Sequence, residues 1–417
     1  MAVAIQTVYQ PIVALGSRRV VGFEALTRGP AGSRWNAPQD MFAAADRRDE
    51  TIDFDWRCRL TAVQGALAAN YPSDLPLFVN AEPSALDSAP PPGSEVLLAE
   101  AARLSVVVEI TERNLMDDPA GLLRAVEQAR GRGWRIAFDD VGSNASSLAL
   151  LALLRPDVIK LDMRLVQQRS TDQTASILAS VTAESERTGA VVLAEGIETD
   201  AHERWARDMG AVWGQGWLYG EPAPMPSFTP LDGAVVSQPP RPAVTVRAPA
   251  AVTPYGLTHA IGPPRCADVN LLETMENDLL RRAAWMASTA LVLITVPTSE
   301  NFSDPRRELI DELSTRCALT AVFSPRPDRA GTDERATTAD GVRTVLVDPD
   351  EPLALERSVI VVDPGFTAAL LAVDRGRQPD GSHEFDYRLS FDRELVLDAA
   401  TVLLRRIPAT RSRDTAV

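Results

Sequence analysis

Lysine is nearly absent from this chain of 417 residues: 41 of its 42 basic residues are arginine, leaving Lys160 as the single lysine. Arginine is a wide, permanently charged fork and lysine a compact ammonium, so a lone lysine marks a place where the two are not interchangeable. Cysteine is scarce as well. Cys58, Cys266 and Cys317 lie far apart with no C-x-x-C pair, which excludes zinc ribbons and thioredoxin-type chemistry and fits a reducing, cytoplasmic compartment. The longest nearly apolar run, Ala283 to Val296, is too short to span a bilayer, and the opening MAVAIQTVYQPIV has neither the basic segment nor the long apolar core of a secretory leader. No membrane association is expected. With 57 acidic residues the formal charge is -15, which argues against nucleic acid as a partner, because phosphate backbones are held by broad basic surface. An anionic ligand must then be met locally, by metal or by a few placed arginines. No G-x-G-x-x-G turn follows the first strand, and no P-loop occurs.

What is present is an ordinary globular composition, 45% hydrophobic and 24% charged, over a length that suits a barrel of roughly 250 residues with a second module behind it. A hairpin-like opening (TVYQPIVAL, turn GSR, RVVGFEAL) is followed by repeated units of a short apolar run, a polar residue at its end and an amphipathic stretch. PLFV ends at Asn80, SVVV at Glu109, RIAF at Asp139 and Asp140, DVI at Lys160, VVLA at Glu195 and AVWG at Gln215. Apolar strands alternating with helices predict a parallel sheet covered on both faces. Their number suits a (β/α)8 barrel, in which the C-terminal strand ends converge on one mouth; a doubly wound open sheet is the alternative.

That mouth would hold Glu24, Asn80, Glu109, Asp139, Asp140, Glu195 and Glu198, with Lys160 and Arg28 as the nearby cations. So many carboxylates in one pocket demand counter-ions. The candidate ligands are all oxygen donors, and His202, His259 and His383 sit elsewhere in the sequence, so the expected ion is Mg2+ or Mn2+ rather than Zn2+. Helix N-terminal capping at βα junctions accounts for one or two of the acids, not for an acid or amide at nearly every strand end. Two reactions use such a site: two-metal phosphodiester hydrolysis and enolase-type chemistry with a lysine base. Arg28, four residues beyond Glu24, tips the balance toward a phosphate substrate.

The stretch Glu24-Ala25-Leu26-Thr27-Arg28, preceded by YQPIV and followed by FVN, EITE, FDDVG, VIKLD, AEGIET and GQGWLYGEP, resembles EAL-domain phosphodiesterases that hydrolyse cyclic di-GMP, in order over about residues 6 to 224. The resemblance implies a modified (β/α)8 TIM-like barrel with one antiparallel strand, consistent with the opening hairpin, and linear pGpG as product. It implies Glu24, Asn80, Glu109, Asp139 and Asp140 as ligands of two Mg2+ or Mn2+ ions, and Lys160 with Glu195 as the catalytic pair that orients and deprotonates the attacking water. Arg28 resembles the phosphate clamp, Leu26, Gln215 and Glu198 fall in the substrate-binding set, and Glu112 resembles the brace of the loop after Asp140. That loop departs from the family's DDFGTGYSSL: here Asp140 is followed by Val141-Gly142-Ser143-Asn144-Ala145-Ser146-Ser147.

The boundaries expected are a barrel over residues 1–227, a Pro/Ala-rich linker over 228–253, a smaller α/β domain over 254–408 and a flexible tail over 409–417. The third segment resembles the DICT sensory module, through TPYGLTHAI, VIVVDPGFTAALLAVD and FDYRLSFDRELV, without a chemical signature that would identify its signal. Arg281 and Arg282 read as a solvated helix face, Trp217 and Trp285 as core or pocket walls. The expectation is a cytoplasmic, homodimeric cyclic di-GMP phosphodiesterase regulated by its C-terminal domain. The alternative is a receptor that binds cyclic di-GMP and signals occupancy through the loop after Asp140.

Overall fold

A computed structural model describes residues 4–30, 32, 33, 35, 37–111, 116–142, 148–168, 172–228, 253–297, 304–325, 341–377 and 383–409. Glu112, residues 143–147 of the variant loop, most of the expected linker and the tail beyond 409 lie outside the described residues. The chain divides into two compact units, one drawn mainly from the first 243 residues and the other mainly from those that follow.

The first unit is a closed barrel of eight strands: β1 (Gln6–Ala14), β2 (Val20–Arg28), β3 (Pro76–Asn80), β4 (Ser105–Thr111), β5 (Arg135–Val141), β6 (Val158–Leu161), β7 (Val191–Ala194) and β8 (Trp213–Gln215). β1 runs antiparallel to both its neighbours, β2 and β8, and every other pairing is parallel. The reversal follows from the tight hairpin at residues 15–19, where Arg18 takes a left-handed φ of 54°, against the helical crossovers that join the parallel strands.

The barrel interior is filled by one apolar side chain from each strand: Ile12, Val21, Phe78, Val107, Ala137, Val158, Leu193 and Trp213. The rings of Phe78 and Trp213 meet edge to face across it, with centroids 6.4 Å apart. Side chains on a strand alternate between faces, so a residue two positions closer to the mouth lies in the next inward-facing layer. That arithmetic places Asn80, Glu109, Asp139, Lys160, Glu195 and Gln215 directly above the apolar layer.

The second unit is a seven-stranded mixed sheet. Its strands are β9 (Arg265–Asp268), β10 (Leu291–Thr295), β11 (Leu319–Ser324), β12 (Val342–Leu346), β13 (Glu356–Asp363), β14 (Phe366–Arg377) and β15 (His383–Ser390), in the order β12-β11-β10-β13-β14-β15-β9. β10, β11 and β12 are parallel; the remaining pairings are antiparallel. The helices Val269–Met286 and Asp392-capped Arg393–Leu404 have side-chain N-caps, Asp268 accepting from the Leu271 amide and Asp392 from the Leu395 amide, each at 2.9 Å. Beneath the first of them Arg357 donates two hydrogen bonds to Glu276, at 2.8 and 2.7 Å, and Arg306 lies 2.8 Å from the same carboxylate, all three residues being buried. The expected α/β character holds.

Two tryptophans contradict the sequence reading. Trp285 is 91% exposed, because its helix turns Leu272, Glu276, Leu279 and Ala283 inward and Trp285 falls outside that stripe. Trp217 is 65% exposed, just beyond β8. Arg281 and Arg282 are exposed as expected, Arg282 pairing with Asp278 at 2.8 Å. No helix among the described residues is long and apolar enough to cross a membrane.

Candidate active site

Lys160 is the centre of the barrel mouth. Carried on β6 and fully buried, its Nζ lies 2.6 Å from Glu109 Oε1, 2.8 Å from Glu195 Oε1, 2.9 Å from Asp139 Oδ1 and 3.9 Å from Glu24 Oε1. Four carboxylates from β2, β4, β5 and the end of β7 therefore converge on the one lysine. Glu24 is held from its other side: Asn80 donates to Oε1 at 3.2 Å and Gln215 to Oε2 at 2.5 Å. A bulge in β2 opposite Ile12 and Val13 resets the alternation there, so that Glu24 reaches the mouth while Phe23 turns outward to Tyr71.

A second bulge brings in Asp140. Adjacent residues on a strand face opposite sides, and a regular β5 would point Asp140 away from Asp139. The β5·β6 register slips instead between Phe138 and Val141, and Asp140 adopts a left-handed φ of 57° with its amide donating to Asp139 Oδ1 at 2.9 Å. Aspartate tolerates this backbone better than most residues. Carboxylate oxygens of Asp139, Asp140 and Glu195 consequently lie within 4.8 Å of one another.

The electrostatics are those of an acid cluster with too little positive charge. Burial works against ionisation of Glu24, but the Lys160 ammonium and the Gln215 and Asn80 amides outweigh it and hold its carboxyl below the usual range. Burial, reinforced by the charge of Glu24, pushes Glu109 well above that range. Burial likewise lifts Glu195, one-fifth exposed, to about 8 against the pull of Lys160. Burial opposes the charge on Lys160 too, yet Asp139, Glu109, Glu195 and Glu24 together hold its proton more firmly than in water.

The cluster fits divalent cations. Both Glu109 oxygens are buried without a well-directed hydrogen-bond donor, and the donor set of Glu24, Asn80, Glu109, Asp139 and Asp140 is oxygen throughout, as Mg2+ and Mn2+ require. Fully ionised, the five carboxylates, Glu195 included, would outnumber the one ammonium by four charges; two divalent ions would close that deficit and favour the ionised forms of Glu109 and Glu195, whose carboxyls burial otherwise keeps protonated.

The remaining expected residues sit around this core. Arg28 and Leu26 are half-buried at the C-terminal end of β2, the Arg28 guanidinium donating to the Thr27 carbonyl at 2.9 Å. Glu198 is exposed, 3.4 Å from Gln167 Nε2, and its amide donates to His202 Nδ1 at 3.3 Å, so one histidine stands beside a predicted site residue rather than remote from it. Capping at βα junctions is done by Asp162 and Thr199, and the mouth acids are left for other work.

Sequence reasoning misses Gln10. Its Oε1 accepts from Gln215 Nε2 at 3.0 Å, and its own Nε2 donates to the Gly220 carbonyl at 3.1 Å. With Gly220 fixing the Gln10 amide, Gln10 in turn fixes Gln215 with its Nε2 toward Glu24. The signal lay in the hairpin: on an antiparallel β1 the mouth residue precedes the apolar layer residue, here Ile12, by two. With Gln10 each of the eight strands or its end contributes at least one polar side chain to the mouth, β5 contributing both Asp139 and Asp140.

The EAL domain family model matches residues 3–222. The probable cyclic di-GMP phosphodiesterase PdeB of Escherichia coli is 28% identical over 226 residues, 53% of this chain and 43% of that protein. The cyclic di-GMP phosphodiesterase RocR of Pseudomonas aeruginosa is 30% identical over 239 residues, 53% of this chain and 58% of that protein. The chain thus spans about half the length of these curated relatives. Among solved structures, the manganese/cy-diGMP complex of Klebsiella pneumoniae BlrP1 at pH 9.0 is 30% identical, with a TM-score of 0.46, over 52% of this chain and 56% of that one.

Proposed function

The chain belongs to the EAL domain family, and from that premise we propose that it hydrolyses cyclic di-GMP to linear pGpG with the help of two Mg2+ or Mn2+ ions. The observation that carries the reading is the ring of carboxylates about a single buried lysine at the mouth. Glu24, Asn80, Glu109, Asp139 and Asp140 would hold the ions, which supply Lewis-acid polarisation of the phosphodiester and a more acidic water.

Glu195 is the group to receive the proton of the attacking water. It is the most exposed of the four carboxylates touching Lys160, and burial has already raised its basicity. Lys160 keeps its own proton at neutral pH, so its part is to orient and to donate rather than to abstract. Gln10, through Gln215, sets the orientation of Glu24. Arg28 and Leu26, with Gln215 and Glu198, belong to the substrate-binding set, Arg28 as the clamp on a phosphate oxygen. A cytoplasmic homodimer, with a sensory role for the second unit, completes the proposal.

The test is chromatography of cyclic di-GMP incubated with the full chain in Mg2+ or Mn2+, with binding measured in Ca2+. Metal-dependent pGpG formation supports the enzyme; tight binding without product would replace it with a receptor.

A further inference from the structure

The opposite end of the barrel carries a second, differently charged feature. A cavity of about 250 Å³ opens where the chain enters β4 and β5, walled by Ser73, Arg103, Ser105, Arg132, Trp134 and Arg135 among others, none of the described lining residues being acidic. In a chain with 57 acidic residues, three arginines around one concavity form a strong local exception. We propose that this floor cavity binds a phosphomonoester, the phosphate held by the arginines and an attached ring lying against Trp134.

Two of the three arginines are held in place by their surroundings. Arg135 is buried and its guanidinium donates to the Ser105 hydroxyl, which lines the same cavity. Arg132 donates to the carbonyls of Leu86 at 3.1 Å and Ser88 at 3.4 Å, with its guanidinium 5.5 Å from the Trp134 ring centre. Arg103 is exposed at the rim, free to adapt to a ligand. A carboxylate does stand near Arg135, that of Asp157, but it also accepts from the Ile136 amide at 2.9 Å and lies near Arg130 as well. The positive charge is therefore only partly compensated, and Arg132 is held below its ordinary basicity first by burial and then by the like charge of Arg59. Guanidinium forks match phosphate oxygens in pairs, serine hydroxyls add donors, and an indole beside them offers a stacking face. The volume is small for a drug-sized ligand and suits a phosphate with a single ring system.

The position separates this cavity from the mouth. Ser105 and Glu109 lie four residues apart on β4, as do Arg135 and Asp139 on β5, about 13 Å along each strand. The two ends of the same strands thus carry opposite charge.

Calorimetric titration of the metal-free full chain with inorganic phosphate, and separately with a nucleoside 5′-monophosphate, tests this. Saturable binding is expected, weakened about tenfold or more by Arg103→Ser, which alters an exposed side chain, and by Arg135→Gln. Glu24→Gln at the mouth and Arg281→Ser in the second unit should leave it unchanged. Tighter binding of the nucleotide than of phosphate supports the phosphomonoester and its ring contact; equal or weaker binding of the nucleotide would overturn the ring contact with Trp134 and leave an inorganic phosphate site. Absence of saturable heat at millimolar ligand, or binding indifferent to both floor variants, would overturn the proposal. Neither result depends on whether cyclic di-GMP is cleaved.

Discussion

Replacing Lys160 by arginine preserves charge and changes only shape, which makes it the sharpest probe of why one lysine stands among 41 arginines. Nζ sits in a closed cage, with carboxylate oxygens at 2.6, 2.8 and 2.9 Å, and Glu109 is wholly buried beside it. A planar fork does not fit that cage without moving its walls. Overpacking of this kind costs about 1–3 kcal/mol, and the wall able to yield is Glu195, the most exposed of the four carboxylates around the ammonium. Displacing the proton acceptor by about 1 Å lowers turnover on the order of 100-fold. Lys160→Met keeps the volume but removes the charge, leaving buried carboxylates without their counter-ion at a cost of about 3–5 kcal/mol, part of which protonation of Glu109 and Glu195 recovers. The measurements are pGpG formation in Mn2+ and chemical denaturation of wild type and both variants. If Lys160→Arg keeps wild-type turnover and stability, the cage argument is wrong, and the lone lysine is an accident of composition.

Three further outcomes follow from the structure. Burial raises Glu356, which accepts from the Tyr255 amide at 3.0 Å, to about 7 from an ordinary 4.5. Its stabilising contribution is then complete below pH 4.5, falls by about 3 kcal/mol as pH rises to about 7 and is flat above that; hydrogen exchange around residues 253–261 should show the fall, and a Glu356→Gln chain that keeps the same fall would discount it. Gly216→Ala would place a Cβ 2.1 Å from the Ile197 carbonyl oxygen, prising the segment after Glu195 off β8, so a loss of about 2–3 kcal/mol together with loss of turnover is expected, and an unaltered melting curve would contradict it. Gln10→Leu should lower turnover through misorientation of Gln215 while leaving the melting temperature nearly unchanged, and the defect should be smaller in Gln10→Glu, which retains the acceptor facing Gln215; equal defects in the two would remove the positioning role.

The period-two rule made most of this site legible. Each parallel strand ends in an apolar run whose next inward position is polar, so Asn80, Glu109, Asp139, Lys160, Glu195 and Gln215 could be read from spacing once a barrel was supposed. The residues that spacing does not deliver are those where the rule is broken. Gln10 lies on the antiparallel strand, where the mouth comes before the apolar layer. Glu24 and Asp140 each depend on a bulge, one in β2 and one in β5, and neither bulge announces itself in apolar alternation; their position at the strand ends points to the mouth, but strict alternation would send both side chains away from it. In the second unit the loss runs the other way. β14 is a long run of mixed apolar and polar residues, β15 alternates as HEFDYRLS and β9 is only four residues long, and the sequence offers no polar constellation that would anchor these segments as strands. Local rules are broken where chemistry requires it: regular strands would send Asp140 away from Asp139 and turn Phe23 rather than Glu24 into the mouth, and the acid cluster about Lys160 would then lack two of its carboxylates.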